Sequence, residues 1–346
     1  MIQIEKLQGI YFRDIFDQPR ALRDTVEILT PIPELQAIRE NLRAGRLRRV
    51  VLTGMGGSYQ ILHPLHLSLT ASGFDSIMVE TSELLYSSPQ LLDERNVVIA
   101  VSQSGASAEI VRLMERPGPL YLGVTNTPSS ALATGSQVTV PTKAGEEGGV
   151  ACKTAVALLT ALYWVGEQLT GADLTAAREV LKGVPAASET YLQRWREHVE
   201  ELVPALEGIR HVFLAGRGAS LAATGLGAMV QKEAAHFHAE GMSSAALRHG
   251  PFEMLGPDCF VVVFEGSENV RELNRRLVSD VLETGAKAYL CGPDTPEGPF
   301  ALAAIHDAVR PILELLPCQM MSLSLAYLQG REPGKFERIT KVTTVE

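Results

Sequence analysis

Val97-Val98-Ile99-Ala100-Val101-Ser102-Gln103-Ser104-Gly105 joins two kinds of sequence that seldom meet so abruptly. Five apolar residues, three of them Val, predict a strand covered on both faces, since a strand with one wet face would alternate apolar and polar. The run then stops in two hydroxyls, an amide and a glycine, and Ser107-Ala108-Glu109-Ile110-Val111 opens a helical pattern. Strand, polar glycine turn and helix together form the repeating unit of a parallel α/β sheet. The turn presents side-chain donors and helix N-terminal N–H groups, which together make an anion cradle. It is not a Walker loop, because the G-x-x-x-x-G-K-[ST] pattern of nucleotide-phosphate sites occurs nowhere in the sequence.

The same grammar extends outward on both sides. Short apolar runs at Val50-Val51-Leu52-Thr53, Ser76-Ile77-Met78-Val79-Glu80, Leu120-Tyr121-Leu122-Gly123-Val124 and Val138-Thr139-Val140 alternate with helix-length spacers, predicting a parallel sheet wrapped by helices. Helices are expected over 151–169 and 174–181. Strands then restart at Val212-Phe213-Leu214-Ala215, Cys259 to Phe264, Ala288-Tyr289-Leu290-Cys291 and Ala304-Ile305-His306. This is an internal duplication. The two first-strand turns align as Gly54-Met55-Gly56-Gly57-Ser58 and Gly216-Arg217-Gly218-Ala219-Ser220. Neither fits a dinucleotide fingerprint, because Tyr59 and Leu221 fill the third glycine place and no acidic residue closes the next strand at the right distance.

Ahead of the first strand, the segment from Tyr11 to Arg48 is charged and rich in helix formers, with Pro31 and Pro33 dividing it into two helical pieces. The expected organisation is a helical arm over 1–45, α/β domains over 46–185 and 190–330, and a C-terminal tail over 331–346. At 346 residues the chain suits two domains. A net charge of −9 argues against nucleic acid as a partner, since phosphate backbones need clustered Lys and Arg. No run reaches the roughly 18 uncharged apolar residues of a membrane helix, so no membrane partner is expected. Met1 to Lys6 lacks a basic segment followed by an apolar one, and the expected location is cytoplasmic. The four cysteines, Cys152, Cys259, Cys291 and Cys318, have no C-x-x-C spacing, and reduced, mainly buried thiols are expected. The pair His236 and His238 lacks further ligands for a metal, so neither metal nor cofactor is expected.

The strand-S-Q-S-G turn, the Gly-Gly-Ser first turn, the segment Lys232-Glu233 to Arg248-His249-Gly250-Pro251 and the tail Lys341-Val342-Thr343-Thr344-Val345-Glu346 together resemble the double sugar-isomerase (SIS) family. The likeness is to the isomerase half of glucosamine-6-phosphate synthases in particular, and it runs from about Arg46 to the C-terminus. It implies two tandem SIS domains with flavodoxin-like parallel sheets, a phosphorylated sugar as substrate, and a homodimer. Carried over motif by motif, Ser58, Ser102, Gln103, Ser104 and Ser107 would hold the sugar phosphate. Short hydroxyl and amide donors suit a dianion with many acceptor sites, although a lone Ser58 or Ser107 could equally cap a helix.

The resemblance makes Glu233 the base that moves a proton between C1 and C2, a task one carboxylate on one face of the sugar can perform. Its apolar surroundings, Leu226 to Phe237, would raise its pKa by desolvation. His249 would open the sugar ring, reaching the site from the neighbouring subunit, because imidazole both donates and accepts a proton near neutrality. Lys341 would form a Schiff base with an open ketose. The segment Gly145 to Thr154 resembles the loop that closes over the sugar, with Gly57, Glu147, Val150 and Cys152 as sugar contacts. Cys152 stands where the family has Ser, and Lys153-Thr154 inverts its Thr-Lys order. Three further departures are Val230, Ala246 and Ala106, which replace a Lys and two Glu of the synthases. The sequence given opens on the helical arm with no cysteine glutaminase ahead of it, so glutamine is not the expected nitrogen source. A hexose 6-phosphate isomerase, a glucosamine-6-phosphate deaminase or ammonia-dependent synthase, a deglycase of sugar–amine conjugates and a non-catalytic phosphosugar sensor all remain open.

Overall fold

A computed structural model describes residues 4–338 and 340–343 of the protein, so Ile339 and Thr344 to Glu346 of the expected active-site tail lie outside the described residues. Among the described residues the strands are β1 (Arg49–Gly54), β2 (Ser76–Glu80), β3 (Asn96–Val101), β4 (Leu120–Thr125), β5 (Val138–Pro141), β6 (His211–Gly216), β7 (Ala239–Ser243), β8 (Cys259–Phe264) and β9 (Lys287–Cys291). They form two separate sheets, in the orders β2-β1-β3-β4-β5 and β7-β6-β8-β9. Every pairing is parallel. By compactness the chain divides into a unit made of Arg20–Glu146, Lys153–Gly183 and Arg338–Glu346, which carries the first sheet, and a unit made of Met1–Pro19, Glu147–Cys152 and Val184–Glu337, which carries the second.

In the first-sheet unit β3 is central and buried at every residue. Val98 and Ala100 pack on one face with Val51, Tyr121, Ile110, Leu113 and Leu132. A strand covered on both faces has no reason to alternate, which is why 97–101 reads as an unbroken apolar run. In the second-sheet unit β8 plays the same part, with Val261 and Val263 packed against Phe213, Ala215, Leu277 and Val281. The helix Leu221–Ala235 lies against the long helix Arg310–Leu328. Contact there is close at Gly227, where an added Cβ would fall 2.7 Å from Cys318 Sγ. The helix Arg310–Leu328 is long and apolar enough to cross a membrane, yet 89% of its apolar window is buried inside the protein, as a core helix's would be. All four cysteines are free and buried.

Several expected elements change. Ala304-Ile305-His306 is not a strand: the chain makes one bridge, Gly292 to Ala301, and then leaves the sheet with Ala303 and Ala304 exposed. The strand that sequence reading overlooks is β7, Ala239-Glu240-Gly241-Met242-Ser243, whose short and partly polar run shows only as an edge position. Its Gly241 is required by packing, since a Cβ would meet the carbonyl oxygen of Thr224 at 2.1 Å. The N-terminal segment forms three helices, Ile10–Phe16, Gln18–Ile28 and Pro33–Arg43, one break more than Pro31 and Pro33 supply. The helix expected over 174–181 continues to Gln193.

Candidate active site

In an open parallel sheet a ligand crevice forms where neighbouring strands send their connections in opposite directions. For the first sheet that point lies between β1 and β3, and both polar turns emerge there. The β1 turn is tight: Gly56 has φ +51°, and a Cβ on Gly54 would fall 3.0 Å from the carbonyl oxygen of Val101. Ser58 follows in the one-turn helix Gly57–Gln60.

The β3 turn is held from within and from behind. Ser102 Oγ accepts from the Gly105 N–H at 3.1 Å, and Ser104 Oγ from the Ala106 N–H at 3.3 Å. The carbonyl of Gln103 accepts from the Asn126 N–H at 3.2 Å, from Thr125 Oγ1 at 3.2 Å and from Thr127 Oγ1 at 3.4 Å. Gly105, at φ +61°, passes so close to Ser130 that an added Cβ would sit 2.1 Å from its hydroxyl. Thr125, Thr127 and Ser130 are supporting residues that sequence reading missed. Their only signal is a Thr-Asn-Thr at the carboxyl end of β4.

Three of the predicted phosphate ligands remain unengaged. The hydroxyls of Ser58 and Ser107 and the amide of Gln103 have no hydrogen-bond partner among the described residues, and all three residues are half-buried. Ser107 occupies the N-cap position of the helix Ala108–Met114 with extended backbone, but its side chain makes no capping bond. Its residue type is therefore not accounted for by capping. The first helical N–H, that of Ala108, is bonded at 3.1 Å to the carbonyl of Thr343. The C-terminal tail thus meets the helix that follows the β3 turn, two residues from half-buried Lys341.

The other predicted residues belong to the second-sheet unit. Glu147 is buried, and its Oε1 accepts from the Cys152 N–H at 3.0 Å and from the Cys152 thiol at 3.5 Å. That carboxylate fastens its own loop, in which Val150 and Cys152 are buried. The loop also meets the first helix, through the Gly148 N–H to Asp14 Oδ2 at 3.1 Å. Glu233 is half-buried on the helix Leu221–Ala235. Near it lies Tyr11, a residue the sequence did not flag. Its phenol is raised well above its ordinary pKa, first by burial and further by the negative charge that Cys152 and Glu233 can carry. Tyr11 shares a hydrogen bond of 3.1 Å with Ser322. Tyr11, Cys152 and Glu233 are thus electrostatic neighbours. His249 follows the short helix Ser244–Arg248 and is exposed, its imidazole without a hydrogen bond among the described residues. Val230 is buried, whereas Ala246 and Ala106 are exposed.

The β1 and β3 turns fall within the stretch 46–166, which matches the family model of the SIS domain. The cradle just described is the polar edge of that matched stretch. Over 96% of its length the chain is 28% identical to the glutamine–fructose-6-phosphate aminotransferase [isomerizing] of Pyrococcus horikoshii, covering 57% of that relative. The chain therefore spans just under three fifths of the length of the curated relatives it matches. Among solved structures, the C-terminal domain of glucosamine-fructose-6-phosphate aminotransferase from Francisella tularensis shares the fold with a TM-score of 0.83 at 21% identity, over 95% of this chain and 98% of that one. Tagatose-6-phosphate ketose/aldose isomerase from Escherichia coli shares it with a TM-score of 0.81 at 19% identity, over 98% of this chain and 99% of that one.

Proposed function

We propose that this protein is a phosphosugar isomerase of two tandem SIS domains, spanning 46–185 and 190–330, that acts on a hexose 6-phosphate. The observation that carries the reading is the set of donors at the switch point unengaged among the described residues, Ser58, Gln103 and Ser107, on turns braced by Ser102, Ser104 and Thr125. A dianion accepts from several such donors at once, and a helix N-terminus adds partial positive charge without a lysine. Glu233 abstracts the proton from one carbon of the open sugar and returns it to its neighbour. His249 opens the ring, donated across a homodimer interface. The name of the Pyrococcus horikoshii relative supports fructose 6-phosphate as the substrate class. A cytoplasmic location accords with such metabolism.

One observation favours a second reading, imine chemistry on an amino sugar. Docking of Thr343 on the Ala108 N–H brings the tail that carries Lys341 onto the phosphate turn, where an amine could meet an open ketose. Both readings are tested together by incubating the protein with glucose 6-phosphate, with glucosamine 6-phosphate and with fructose 6-phosphate plus ammonium, following ketose and ammonia by NMR. Ketose formed from glucose 6-phosphate supports the isomerase. Ammonia released from glucosamine 6-phosphate, with borohydride trapping of a ketose phosphate on Lys341, supports imine chemistry. Saturable binding of all three sugars without turnover would make the protein a sensor and overturn the enzymatic reading.

A further inference from the structure

The second sheet repeats the switch point of the first, turn for turn. β6 ends in Gly216-Arg217-Gly218-Ala219-Ser220 with Gly218 at φ +62°, as β1 ends in a turn with Gly56 at +51°. β8 runs through Glu265 into Gly266, at φ +73°, and Ser267, as β3 runs into Gly105 and Ser107. Ser267 is again an extended N-cap without a side-chain capping bond, and the helix it opens, Glu268–Glu283, is 16 residues long. A Cβ on Gly218 would meet nothing within 4 Å, so space lies open beside this turn.

Among the buried polar atoms around these turns that lack hydrogen-bond partners among the described residues are Arg217 Nε, Arg310 Nε and Glu314 Oε2. Their bonded neighbours fix where they lie. Glu314 is fully buried and its Oε1 accepts from Ser220 Oγ at 2.7 Å, so its other oxygen sits at the β6 turn as well. Arg310, only 5% exposed, donates through Nη1 to the Gly266 carbonyl and through Nη2 to Asp307, which sets its Nε beside the β8 turn. Arg217 belongs to the β6 turn itself. Folded proteins leave few buried polar atoms unpaired, and a cluster of them at two neighbouring turns points to a ligand. Buried Glu265 adds no free charge there. Arg271 Nε stands 2.9 Å from its Oε1, Arg275 stands 3.6 Å away, and the Asp294 N–H reaches Oε2 at 3.2 Å. What the crevice offers is guanidinium N–H donors, a long helix's N-terminus and one carboxylate acceptor. That combination fits a ligand with an anionic head and a hydroxyl or amine.

We propose that the carboxyl ends of β6 and β8 form a second binding site for a phosphorylated sugar, its phosphate received by Arg217 and the N-terminus of the helix Glu268–Glu283 and its hydroxyl or amine by Glu314. The site is separate from the catalytic reading and does not depend on it. The test is equilibrium dialysis of the full chain with radiolabelled glucosamine 6-phosphate and fructose 6-phosphate. Two sugars should bind per chain at saturation. Arg217→Ala and Glu314→Gln should each weaken one of the two sites by about tenfold or more, as loss of a charge-assisted hydrogen bond does. The double variant Ser58→Ala/Gln103→Ala should remove the other site and leave the Arg217-dependent one intact. Because Gln at 314 can still accept from Ser220, a thermal melt is expected to show that variant folded. One sugar per chain in the wild type, unaffected by Arg217→Ala and by Glu314→Gln, would overturn the second site. Loss of all sugar binding in Ser58→Ala/Gln103→Ala would overturn it equally, since only the first-sheet site would then exist. Inorganic phosphate that competes at the Arg217-dependent site, together with sugar affinity unchanged by Glu314→Gln, would reduce it to an anion hole and refute recognition of the sugar.

Discussion

At the residue scale the phosphate turn depends on Gly105. Its φ of +61° lies in the left-handed region, and the space a Cβ would need is taken by the Ser130 hydroxyl at 2.1 Å. Gly105→Ala should cost about 1–3 kcal/mol through backbone strain and displaced packing. It should also move Ser104 and Ser107 out of register, weakening hexose 6-phosphate binding by about tenfold or more, a loss titration calorimetry would detect. Unchanged affinity would show that the turn's geometry is not what holds the phosphate. Glu314 provides a second residue-scale test, through pH. Burial pushes its carboxyl from 4.5 up to about 7, against the lowering effects of Ser220 and Arg310; Asp307 and Glu265 push the same way as burial, and the neighbouring Cys291 and Cys318 thiols stay neutral. The folded state therefore holds a proton that the unfolded chain gives up above pH 4.5, and stability falls as pH rises from 4.5 to about 7. The full gap is worth on the order of 3 kcal/mol. Glu314→Gln escapes that loss, so its melting temperature relative to wild type should be higher at pH 8 than at pH 5. A difference independent of pH would contradict burial as the cause.

At the scale of elements, the sequence was most legible where burial is two-sided. β3 and β8 read as unbroken apolar runs because helices cover both faces, and their turns read as polar because they sit at the sheet's open end. Edge elements were not legible. β7 carries Glu240 and Gly241 because one side of it is solvent and the other must admit the Thr224 carbonyl, and neither demand leaves an apolar signature. Residues 304–306 carry a short apolar pattern but no second strand to pair with, since the chain has already turned away at the Gly292–Ala301 bridge. The candidate site divides the same way. Ser102, Gln103 and Ser104 were visible beside their strand, whereas Thr125, Thr127 and Ser130 support that turn from another strand and helix, a relation only the fold creates. Tyr11 was invisible for the same reason: it comes from the N-terminal helix, far in sequence from Glu233.

At the scale of the molecule, a chain of net charge −9 that is proposed to take an anionic sugar has to hold it locally. On the proposed reading it does so with backbone dipoles, hydroxyls and amides at the ends of parallel strands, and both parallel sheets carry such turns. The two sets of turns differ in chemistry. The first carries short neutral donors, while the second carries Arg217, Glu265, Arg310 and Glu314. Catalysis requires in addition a base, and Glu233 is the carboxylate assigned to it. The direct measurement is exchange of the C2 proton of a hexose 6-phosphate with deuterated water, followed by proton NMR for the wild type and for Glu233→Gln. The wild type should exchange that proton, and Glu233→Gln should bind the sugar with similar affinity yet slow exchange by roughly 10²–10⁴-fold, as loss of a general base does. Exchange at the wild-type rate in Glu233→Gln, or none in the wild type with binding intact, would contradict the assignment.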